Sequence, residues 1–596
     1  MASPAIAPSL DPAPSARVVP TRSGSATLEL DGVALASRMD PAREAESLIA
    51  ALDPDVEWVW LIGWSTGHLA RAILARCRRA RVLVYEPSAT ILAAALAHPE
   101  LARGSDDPRV TVASEPFALR FEFEEHFLPG ATLATVVPPV YRRLFGAAIE
   151  ELLATLDQSR VRVEANVLSR MVVGGTWLDH LLHNAATIAA SPFLEDLRDR
   201  FRGVPAICVA AGPSLEGNAD VLRDAGDRAL VISVGSALRP LQRRGIDPHF
   251  AAAIEWRDGV LKQFADADLQ RVFLLLSAVS HPDLHRLSAA GRFTELPMGS
   301  PATTWLGEVL DVRHGFLEGG SVAHTAFSTA LLLGCDPVVL VGQDLALSAT
   351  RHTHAASSVH GHLQAHTPNP NEIDPRMRRY VLPGYHGGEV ETLREFYCYH
   401  AWFEDRIHQL DGATRIINAT EGGARIRGTV QLGLREVVDG LQRIGDPRPI
   451  LADAVLHARR RDPSVLHAAL RERRRVASRA ARLAREALAQ IEALEKLPPG
   501  SAPSARDARQ LDRAERQLTR ILDDDPLIRS LTGAAMYRFE RMRAAGPPAD
   551  RAAAYRWSLE LSRLIHGAVG TAARDLAPLL DEVIATLEHQ PAESSS

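Results

Sequence analysis

Three short apolar runs inside the stretch Pro205–Arg257 constrain the fold of this chain most strongly. The runs cover residues 206–211, 229–234 and 250–254. Each is too short for a typical helix and apolar enough to be a buried strand, and glycine turns or an acid, Glu255, end them. Strands at this spacing, with helices between them, form a parallel α/β sheet whose ligands gather at the carboxyl ends of the strands. We therefore predict a parallel sheet with its functional site at that edge.

The turn that ends the first run carries a signal of its own. Residues 212–214 read Gly-Pro-Ser and precede a helical pattern over 215–225. A strand, a glycine turn and a helix start together present backbone N–H groups, which suit a phosphate or a carboxylate. Ser214 can equally be a helix cap, and both interpretations stay open.

Length and charge exclude some classes of function. A chain of 596 residues is too long for one hydrophobic core, so several domains are expected. The apolar content of 46% and charged content of 23% are typical of a globular protein. A net charge of -6 provides no basic field for nucleic-acid phosphates. The Gly-x-x-x-x-Gly-Lys-Ser/Thr loop does not occur, so we expect neither a nucleic-acid-binding protein nor a P-loop enzyme.

Targeting features and cysteine usage favour the cytoplasm. The 4 cysteines lie far apart and lack metal-ligand spacing. Residues 1–25 are rich in Ala, Pro and Ser and lack the basic start and apolar run of a signal peptide, so we predict a disordered tail. No apolar stretch approaches the ~20 residues of a membrane span. These features predict a cytoplasmic protein without a membrane span.

The chain divides into this tail and three predicted domains, which cover residues 26–159, 160–433 and 434–596. The first resembles the nucleotide-binding half of a Rossmann-type methyltransferase, with a glycine turn at 63–67 and Glu86 where a ribose-binding acid would lie. Only two of the usual glycines are present, and Trp64 would crowd the turn. A working cofactor site and a degenerate structural domain both remain open.

The last predicted domain is helical. Between Val465 and Leu497 apolar residues recur at helical steps with charges between them, which is typical of a bundle or hairpin of helices. Arginines crowd one part of this stretch: Arg471, Arg473, Arg474 and Arg475. They can bind an acidic partner or form a solvated helix face.

Short motifs recur in order through the central domain. They are Ala211-Gly212-Pro213-Ser214-Leu215, Gly319-Gly320-Ser321-Val322, Gly342-Gln343-Asp344-Leu345-Ala346, Thr353-His354-Ala355 and Asn418-Ala419-Thr420-Glu421-Gly422-Gly423-Ala424. Together they resemble the motility accessory factor family, whose members are implicated as flagellin glycosyltransferases that transfer sialic-acid-like nonulosonic acids to Ser or Thr. The central domain of that family is similar to bacterial sialyltransferases and to archaeal 6-hydroxymethylpterin pyrophosphokinases. One departure is Glu255, where the family more often carries Asp.

The resemblance implies a fold and a reaction. The fold is α/β, with two Rossmann-like parallel-sheet domains, the central one a sialyltransferase-like, GT-A-related variant, followed by an all-α C-terminal domain. The implied donor is a CMP-activated nonulosonic acid of the pseudaminic or legionaminic type, and the implied acceptor protein is flagellin. We expect no tightly bound cofactor and no metal, because the donor carries a single phosphate and no Asp-x-Asp stands at a strand end.

Site residues follow from the same motifs. The expected donor-binding residues are Gly212, Pro213, Ser214, Asn218, Gly235, Ser236, Glu255, Ser321, Thr325, Gln343, Asn418, Thr420 and Glu421. Gly235 and Ser236 would let a nucleotide approach the second strand closely. For the loop that begins at Asn418, a structural turn is the competing interpretation.

The acceptor hydroxyl needs a base, and histidine is the side chain suited to that task near neutral pH. The polar stretch over residues 348–391 contains His352, His354, His360, His362, His366 and His386. His354 is our first candidate for the base, with His324 and His386 as alternatives. Asp344 at a strand end would orient that histidine or bind the sugar. For each loop histidine, an exposed residue without a role is the alternative.

Two other functions stay open. A 6-hydroxymethyl-dihydropterin pyrophosphokinase would use ATP and magnesium, with Asp344 and Glu255 as acidic ligands. A non-enzymatic flagellin-binding assembly factor would make its contacts through the helical domain. The sequence identifies neither the sugar nor the acceptor residues, and it leaves a homo-oligomer open.

Overall fold

The computed structural model describes residues 15–312, 319–365, 380–459, 461–497 and 504–589. The chain forms two compact units, Met1–Val167 and Leu168–Ser596. Among the described residues no helix is both long and apolar enough to cross a membrane.

The first unit contains two small sheets. The strands are β1 (Ala16–Pro20), β2 (Ala26–Leu30), β3 (Val33–Ala34), β4 (Trp58–Ile62), β5 (Arg81–Tyr85), β6 (Val110–Ala113) and β7 (Leu133–Val136), and the helices are α1 (Pro41–Leu48), α2 (His68–Arg76), α3 (Ala89–Ala97) and α4 (Pro116–His126). Strands β1 to β3 form an antiparallel sheet. The other four pair in parallel, in the order β6-β5-β4-β7. The long helix α5 (Pro139–Ala190) follows.

The predicted disorder of residues 1–25 is wrong for residues 16–20, which form strand β1. Residues 1–14 lie outside the described residues. Strand β1 pairs with β2 through five residues, from Ala16 opposite Leu30 to Pro20 opposite Ala26. Its side chains Ala16 and Val18 pack against the core of the first unit, and this burial stabilises a strand whose composition resembles a tail.

The second unit is built on an eight-stranded sheet. Its strands are β8 (Ala206–Val209), β9 (Leu230–Val234), β10 (Phe250–Ala253), β11 (Phe273–Ser277), β12 (Gly291–Glu295), β13 (Val338–Val341), β16 (Ile416–Asn418) and β17 (Val430–Gln431); β14 (Tyr380–Pro383) and β15 (Glu389–Thr392) form a separate antiparallel pair. The sheet order is β12-β11-β10-β9-β8-β13-β16-β17, and every pair is parallel. The predicted parallel α/β class is confirmed.

Helices lie between these strands and directly after the last of them. They are α6 (Leu215–Asn218), α7 (Gly235–Gln242), α8 (Leu261–Phe264), α9 (Pro301–Val309), α10 (Val322–Leu332), α11 (Arg394–Gln409), α12 (Leu434–Gly440) and α13 (Arg448–Leu456), with 3-10 turns at Leu194–Leu197, Ala219–Asp224, Asp258–Val260 and Pro282–Arg286. The helix predicted over 215–225 is therefore only partly right. The α-helix ends at Asn218 and a 3-10 turn follows. The Asn218 side-chain amide donates to the carbonyl of Ala419 at 3.2 Å, a side-chain contact that competes with the regular helix.

The C-terminal region is all helical, as predicted. It comprises α14 (Pro463–Glu495), α15 (Ala505–Asp524), α16 (Pro526–Leu531), α17 (Gly533–Ala545) and α18 (Arg551–His589). The apolar stripe of α14, including Leu466, Leu470 and Leu483, is buried in a core shared with α18. The clustered arginines have partners within the chain: Arg471 with Glu588, Arg473 with Asp525, Arg474 with Asp581 and Arg475 with Glu472. These pairs favour the structural interpretation of the arginines over an acidic partner.

Candidate active site at the carboxyl edge of the central sheet

The central sheet has a switch point between β8 and β13. From β8 the chain adds strands outward to β12 on one side, whereas β13, β16 and β17 lie on the other side. The connections from β8 and from β13 therefore leave in opposite directions and open a crevice, which is the usual ligand position in such sheets. The turn at residues 212–214 and the Gln343-Asp344 turn lie at this point, because β8 and β13 are paired from Ala206 opposite Val338 to Val209 opposite Val341.

Glycine allows these two turns to touch. A Cβ on Gly212 would lie 2.0 Å from Asp344 Oδ2 and 2.5 Å from the Gly342 carbonyl. Gly342 has a φ of +65°, and a Cβ there would lie 2.4 Å from the Ala210 carbonyl. The backbone contact is completed by the Gly212 amide, which donates to the Gly342 carbonyl at 2.9 Å. The glycines of both motifs are therefore required by the close approach of the two strand ends.

Asp344 is hydrogen-bonded to the first turn. The Ser214 amide donates to Asp344 Oδ1 at 3.1 Å, and the Ser214 hydroxyl donates to Oδ2 at 2.7 Å. Asp344 is only 6% exposed. Burial raises the pKa of its carboxyl to about 6, although the hydrogen bonds from Ser214 work in the opposite direction. In this conformation Asp344 holds the Ser214 turn.

The loop that begins at Asn418 completes this arrangement. Thr420 accepts from the Gln343 amide through its hydroxyl at 3.1 Å and donates its own amide to Asn418 Oδ1 at 3.1 Å. The Asn218 side-chain amide donates to Glu421 Oε2 at 3.3 Å, while Glu421 Oε1 accepts from the Leu434 amide at 2.8 Å. We call this set the switch-point clamp: Gly212, Ser214, Asn218, Gln343, Asp344, Asn418, Thr420 and Glu421. Most of these polar groups bond to one another or to the backbone, whereas the buried atoms Asn218 Oδ1 and Asn418 Nδ2 have no hydrogen-bond partner among the described residues.

The ends of β9 and β10 lie beside the clamp, and Gly235 there is buried whereas Ser236 is half-buried. Gly235 and Ser236 follow β9, and a Cβ on Gly235 would lie 2.6 Å from Gln263 Oε1. Glu255 follows β10 and is partly exposed, and its Oε1 accepts from the amides of Trp256 at 3.0 Å and Arg257 at 3.2 Å. These residues form what we call the β9–β10 edge.

The His354 loop, residues 351–365, covers this edge. The Ala355 amide donates to the Ala211 carbonyl at 2.8 Å, which fixes the loop beside the end of β8. The rings of His354 and His360 lie 5.1 Å apart between centroids. His360 Nε2 lies 3.4 Å from Gln263 Nε2, so the two histidines stand over the β9–β10 edge. Burial, and secondarily the neighbouring His360, lower the pKa of His354 to about 4.

Polar contacts define the orientation of His354. Its Nδ1 lies 2.8 Å from the Thr353 hydroxyl. With the proton on Nδ1 and Thr353 accepting it, Nε2 carries the lone pair that a base needs. The carboxylate of Asp344 accepts hydrogen bonds from Ser214, so the two predicted catalytic residues occupy adjoining but different parts of the edge.

The alternative histidines have different surroundings. His324 is fully buried, stacks on Trp402 with centroids 4.1 Å apart, and places Nε2 3.1 Å from the Tyr399 carbonyl. Burial lowers its pKa to about 3, so it is a neutral core residue. His386 is exposed, with Nε2 3.2 Å from the Glu421 carbonyl. His366 lies outside the described residues.

Ser321 and Thr325 lie on α10, which precedes β13 and therefore begins at the carboxyl edge of the sheet. The Ser321 hydroxyl accepts from the Ala323 amide at 3.3 Å and so acts as the helix cap. Thr325, one turn further, is fully buried. Ser321 stands at the edge where a ligand could reach it, and Thr325 lies in the core beneath.

In the first unit, the corresponding crevice is filled. Its switch point lies between β4 and β7, and a Cβ on Gly63 would lie 2.4 Å from the Tyr141 ring. The Tyr141 hydroxyl donates to Glu86 Oε2 at 2.6 Å, and the Trp64 amide donates to the same oxygen at 3.0 Å. Glu86 is fully buried, and burial raises its pKa to about 7. The carboxylate expected to bind a ribose thus accepts its hydrogen bonds from Tyr141 and Trp64 instead. This favours the interpretation of the first unit as a degenerate structural domain.

One group of described residues has the mutual spacing of metal ligands: Glu122, Glu125 and His126 on α4. Glu122 already pairs with Arg81 at 2.9 Å.

Residues 179–350 match the family model described as 6-hydroxymethylpterin diphosphokinase MptE-like. The chain carries an MptE-like domain. It begins within α5 and ends just before the His354 loop, so it includes β8 to β13 and the Gln343-Asp344 turn. No curated protein matches the chain.

A solved structure shares the fold over nearly the whole chain. The MAf glycosyltransferase from Magnetospirillum magneticum AMB-1 aligns with a TM-score of 0.53 over 97% of this chain and 94% of its own, at 16% identity. At that identity the likeness concerns the fold. Together with the MptE-like domain, it agrees with the resemblance to the motility accessory factor family.

Sequence reasoning missed part of the site. His360 stood among the loop histidines without a distinguishing signal, and only its position over the edge beside Gln263 separates it from them. Glu216 gave no signal at all, since an acid in the first turn of a helix is an ordinary surface feature.

Proposed function

We propose that this chain is a glycosyltransferase that moves a nonulosonic acid from a CMP donor to a Ser or Thr hydroxyl of flagellin. The observation that carries the proposal is the convergence of the Ser214 turn, the β9–β10 edge and His354 at one carboxyl edge, in a fold shared with a glycosyltransferase. Such an edge is where open α/β sheets bind nucleotides.

The clamp and the β9–β10 edge would have separate tasks. The clamp sets the shape of the crevice, because its polar groups bond to one another across more than a hundred residues of sequence. Ser236 would meet the nucleotide beside β9, whereas Gln263 and Phe264 already fill the space next to Gly235. Ser321 at the start of α10 would meet the phosphate or the sugar carboxylate, since a helix start favours an anion.

The reaction would be a displacement at the anomeric carbon. The acceptor hydroxyl oxygen forms the new bond, the bond from the anomeric carbon to the phosphate oxygen of CMP breaks, and its electron pair leaves with the phosphate. His354 Nε2 takes the hydroxyl proton. The ring is neutral at pH 7 because its pKa is about 4, and an anionic donor beside it would raise that pKa and strengthen the base.

A diphosphokinase is the second candidate, favoured by the description of the matched family model. Such an enzyme would need acids for a magnesium–ATP complex. Glu255 would be available, although it accepts from the Trp256 and Arg257 amides. Asp344 would first have to release Ser214. Glycosyl transfer therefore requires less rearrangement of the site than diphosphokinase activity does.

The test is the intact mass of flagellin from cells with and without this gene. We expect the deletion to remove a mass of nonulosonic acid size and wild type to restore it. His354→Gln should fail to restore it, since loss of a general base lowers rates by about 10²–10⁴-fold. His386→Gln and the surface variant Glu436→Ala should restore it.

The remaining outcomes separate the alternatives. Restoration by His354→Gln but not by His386→Gln would move the base to His386. Unchanged flagellin in the deletion would refute the transferase, and consumption of ATP by the purified protein with a hydroxymethyl pterin would then identify a diphosphokinase. If neither activity appears while the protein binds flagellin, the assembly-factor reading stands.

A further inference from the structure

The His354 loop is attached to the sheet at several points. The Ala355 amide reaches the Ala211 carbonyl at 2.8 Å after β8, and the Ser358 hydroxyl reaches the Ser236 carbonyl at 3.1 Å after β9. Both are single hydrogen bonds to backbone carbonyls. They define where the loop lies, but each is worth little by itself.

A stronger contact lies between them. Glu216 Oε1 accepts from the Ser357 amide at 2.7 Å and also from the Ser357 hydroxyl. Its other oxygen, Oε2, is paired with the Arg244 guanidinium. Arg243 donates to the Ser357 carbonyl at 3.4 Å from the same side. One carboxylate thus joins the loop to the end of α7.

Two consecutive backbone turns hold the loop together around Ser358. The Ser358 amide donates to the Ala355 carbonyl at 2.9 Å, and the Gly361 amide donates to the Ser358 carbonyl at 3.0 Å. A Cβ on Gly361 would lie 2.4 Å from the Ala356 carbonyl, so the turn is tightly closed. A displacement of Ser357 would therefore move the neighbouring His354 as well.

We propose that Glu216 is a positioning residue for His354, holding the His354 loop on the carboxyl ends of β8 and β9. The role of His354 in transfer rests on the proposed function, whereas the docking of the loop does not. A displacement of about 1 Å at a reacting group can lower a rate about 10²-fold. Glu216 would act on the rate through His354 without touching the substrate.

The charge state of Glu216 fits this task. Burial tends to raise the pKa of its carboxyl, but the hydrogen bonds from Ser357 and the ion pair with Arg244 outweigh burial and lower it. Glu216 is therefore charged at neutral pH. The side chain remains 33% exposed, so its substitution removes the loop contact without leaving a void in the core.

The test compares Glu216→Ala, Glu216→Gln and the control Glu436→Ala in the full chain, by hydrogen exchange and by histidine NMR. We expect the amides of Ala355 and Ser357 to exchange about tenfold faster or more in Glu216→Ala, since a hydrogen bond to a charged group is lost. The pKa of His354, assigned by the signal missing in His354→Gln, should rise from about 4 toward the ordinary 6.5 as the ring becomes solvated. Glu216→Gln keeps an oxygen acceptor for the Ser357 amide and should give smaller changes.

These readouts need no enzyme activity, so they separate the two proposals. If exchange and the His354 pKa stay at wild-type values in both Glu216 variants, the positioning role is refuted, whatever the protein catalyses. If wild type transfers no sugar, the transferase proposal fails while the loop measurements still decide the role of Glu216. If wild type is active, Glu216→Ala should lose about 10–100-fold in kcat with little change in the KM of the donor, and Glu216→Gln should recover part of that loss.

Discussion

The close approach at Gly212 predicts a large effect from a single methyl group. In Gly212→Ala the new Cβ would lie 2.0 Å from Asp344 Oδ2, whereas real Cβ contacts essentially never fall below 3.0 Å. The carboxylate must therefore retreat by about 1 Å, from 2.0 to 3.0 Å. The Gly342 carbonyl at 2.5 Å blocks relief on the backbone side.

The magnitude follows from the bonds that this retreat breaks. The hydrogen bond of Ser214 Oγ to Asp344 Oδ2 would lengthen from 2.7 Å to about 3.7 Å, beyond hydrogen-bond range. Loss of a hydrogen bond to a charged group costs roughly 1.5–3 kcal/mol, and overpacking adds roughly 1–3 kcal/mol. We expect Gly212→Ala to lower the free energy of unfolding of the second unit by about 3 kcal/mol or more.

The assay is urea unfolding of the full chain by tryptophan fluorescence, with limited proteolysis to assign the transition to the second unit. Gly217→Ala is the matched control. A Cβ there meets nothing within 4 Å, and alanine in a helix is roughly 0.5–1 kcal/mol better than glycine. Equal urea midpoints for Gly212→Ala and Gly217→Ala would refute the contact between the two turns.

Two further predictions concern buried acids. Because the pKa of Asp344 in the folded state is raised from 3.8 to about 6, its stabilising contribution is present below pH 4 and is lost as the pH rises through 6. The stability of wild type relative to Asp344→Asn should therefore fall by about 2.4 kcal/mol between pH 4 and 7, and a difference independent of pH would contradict the burial of this carboxyl. In the first unit, Tyr141→Phe removes the 2.6 Å hydrogen bond to Glu86, whose pKa is about 7. Urea unfolding should show a loss of roughly 1–3 kcal/mol at pH 8 and a smaller loss at pH 5, where Glu86 is protonated; equal losses at both pH values would argue against this ionisation.

The strand ends that form the candidate site could be predicted from sequence because their signals are local. A buried strand, a glycine break and a polar residue at the strand end occur within a few positions, as in the runs that end at residue 212 and at Glu255. In a parallel sheet, all such ends meet at one edge. The disordered tail was predicted too long because the strand Ala16–Pro20 is stabilised by non-local contacts. It pairs with β2 and packs against the core of the first unit, and neither contact is visible in the local sequence.

The roles of individual polar groups could not be predicted in this way. Asp344 is close to His354 in sequence and was predicted to orient that ring or to bind the sugar, yet its carboxylate bonds to Ser214, which lies 130 residues away along the chain. Likewise Glu216 meets Ser357 across 141 residues. Residues so far apart in sequence are brought together by the order of the strands in the sheet. A local sequence pattern therefore cannot predict these hydrogen bonds.

The sequence by itself determined the parallel α/β class, the strands and the edge at which their polar residues collect, because hydrophobic periodicity and glycine breaks act over a few residues. Only the tertiary structure decided which acids are hydrogen-bonded within the protein and where each candidate histidine lies. It fills the first crevice with Tyr141, buries His324 against Trp402 and places His354 over the β9–β10 edge. The physical reason is that a side chain's charge state and free hydrogen-bonding groups depend on the neighbours brought to it by folding, and those neighbours come from distant parts of the chain.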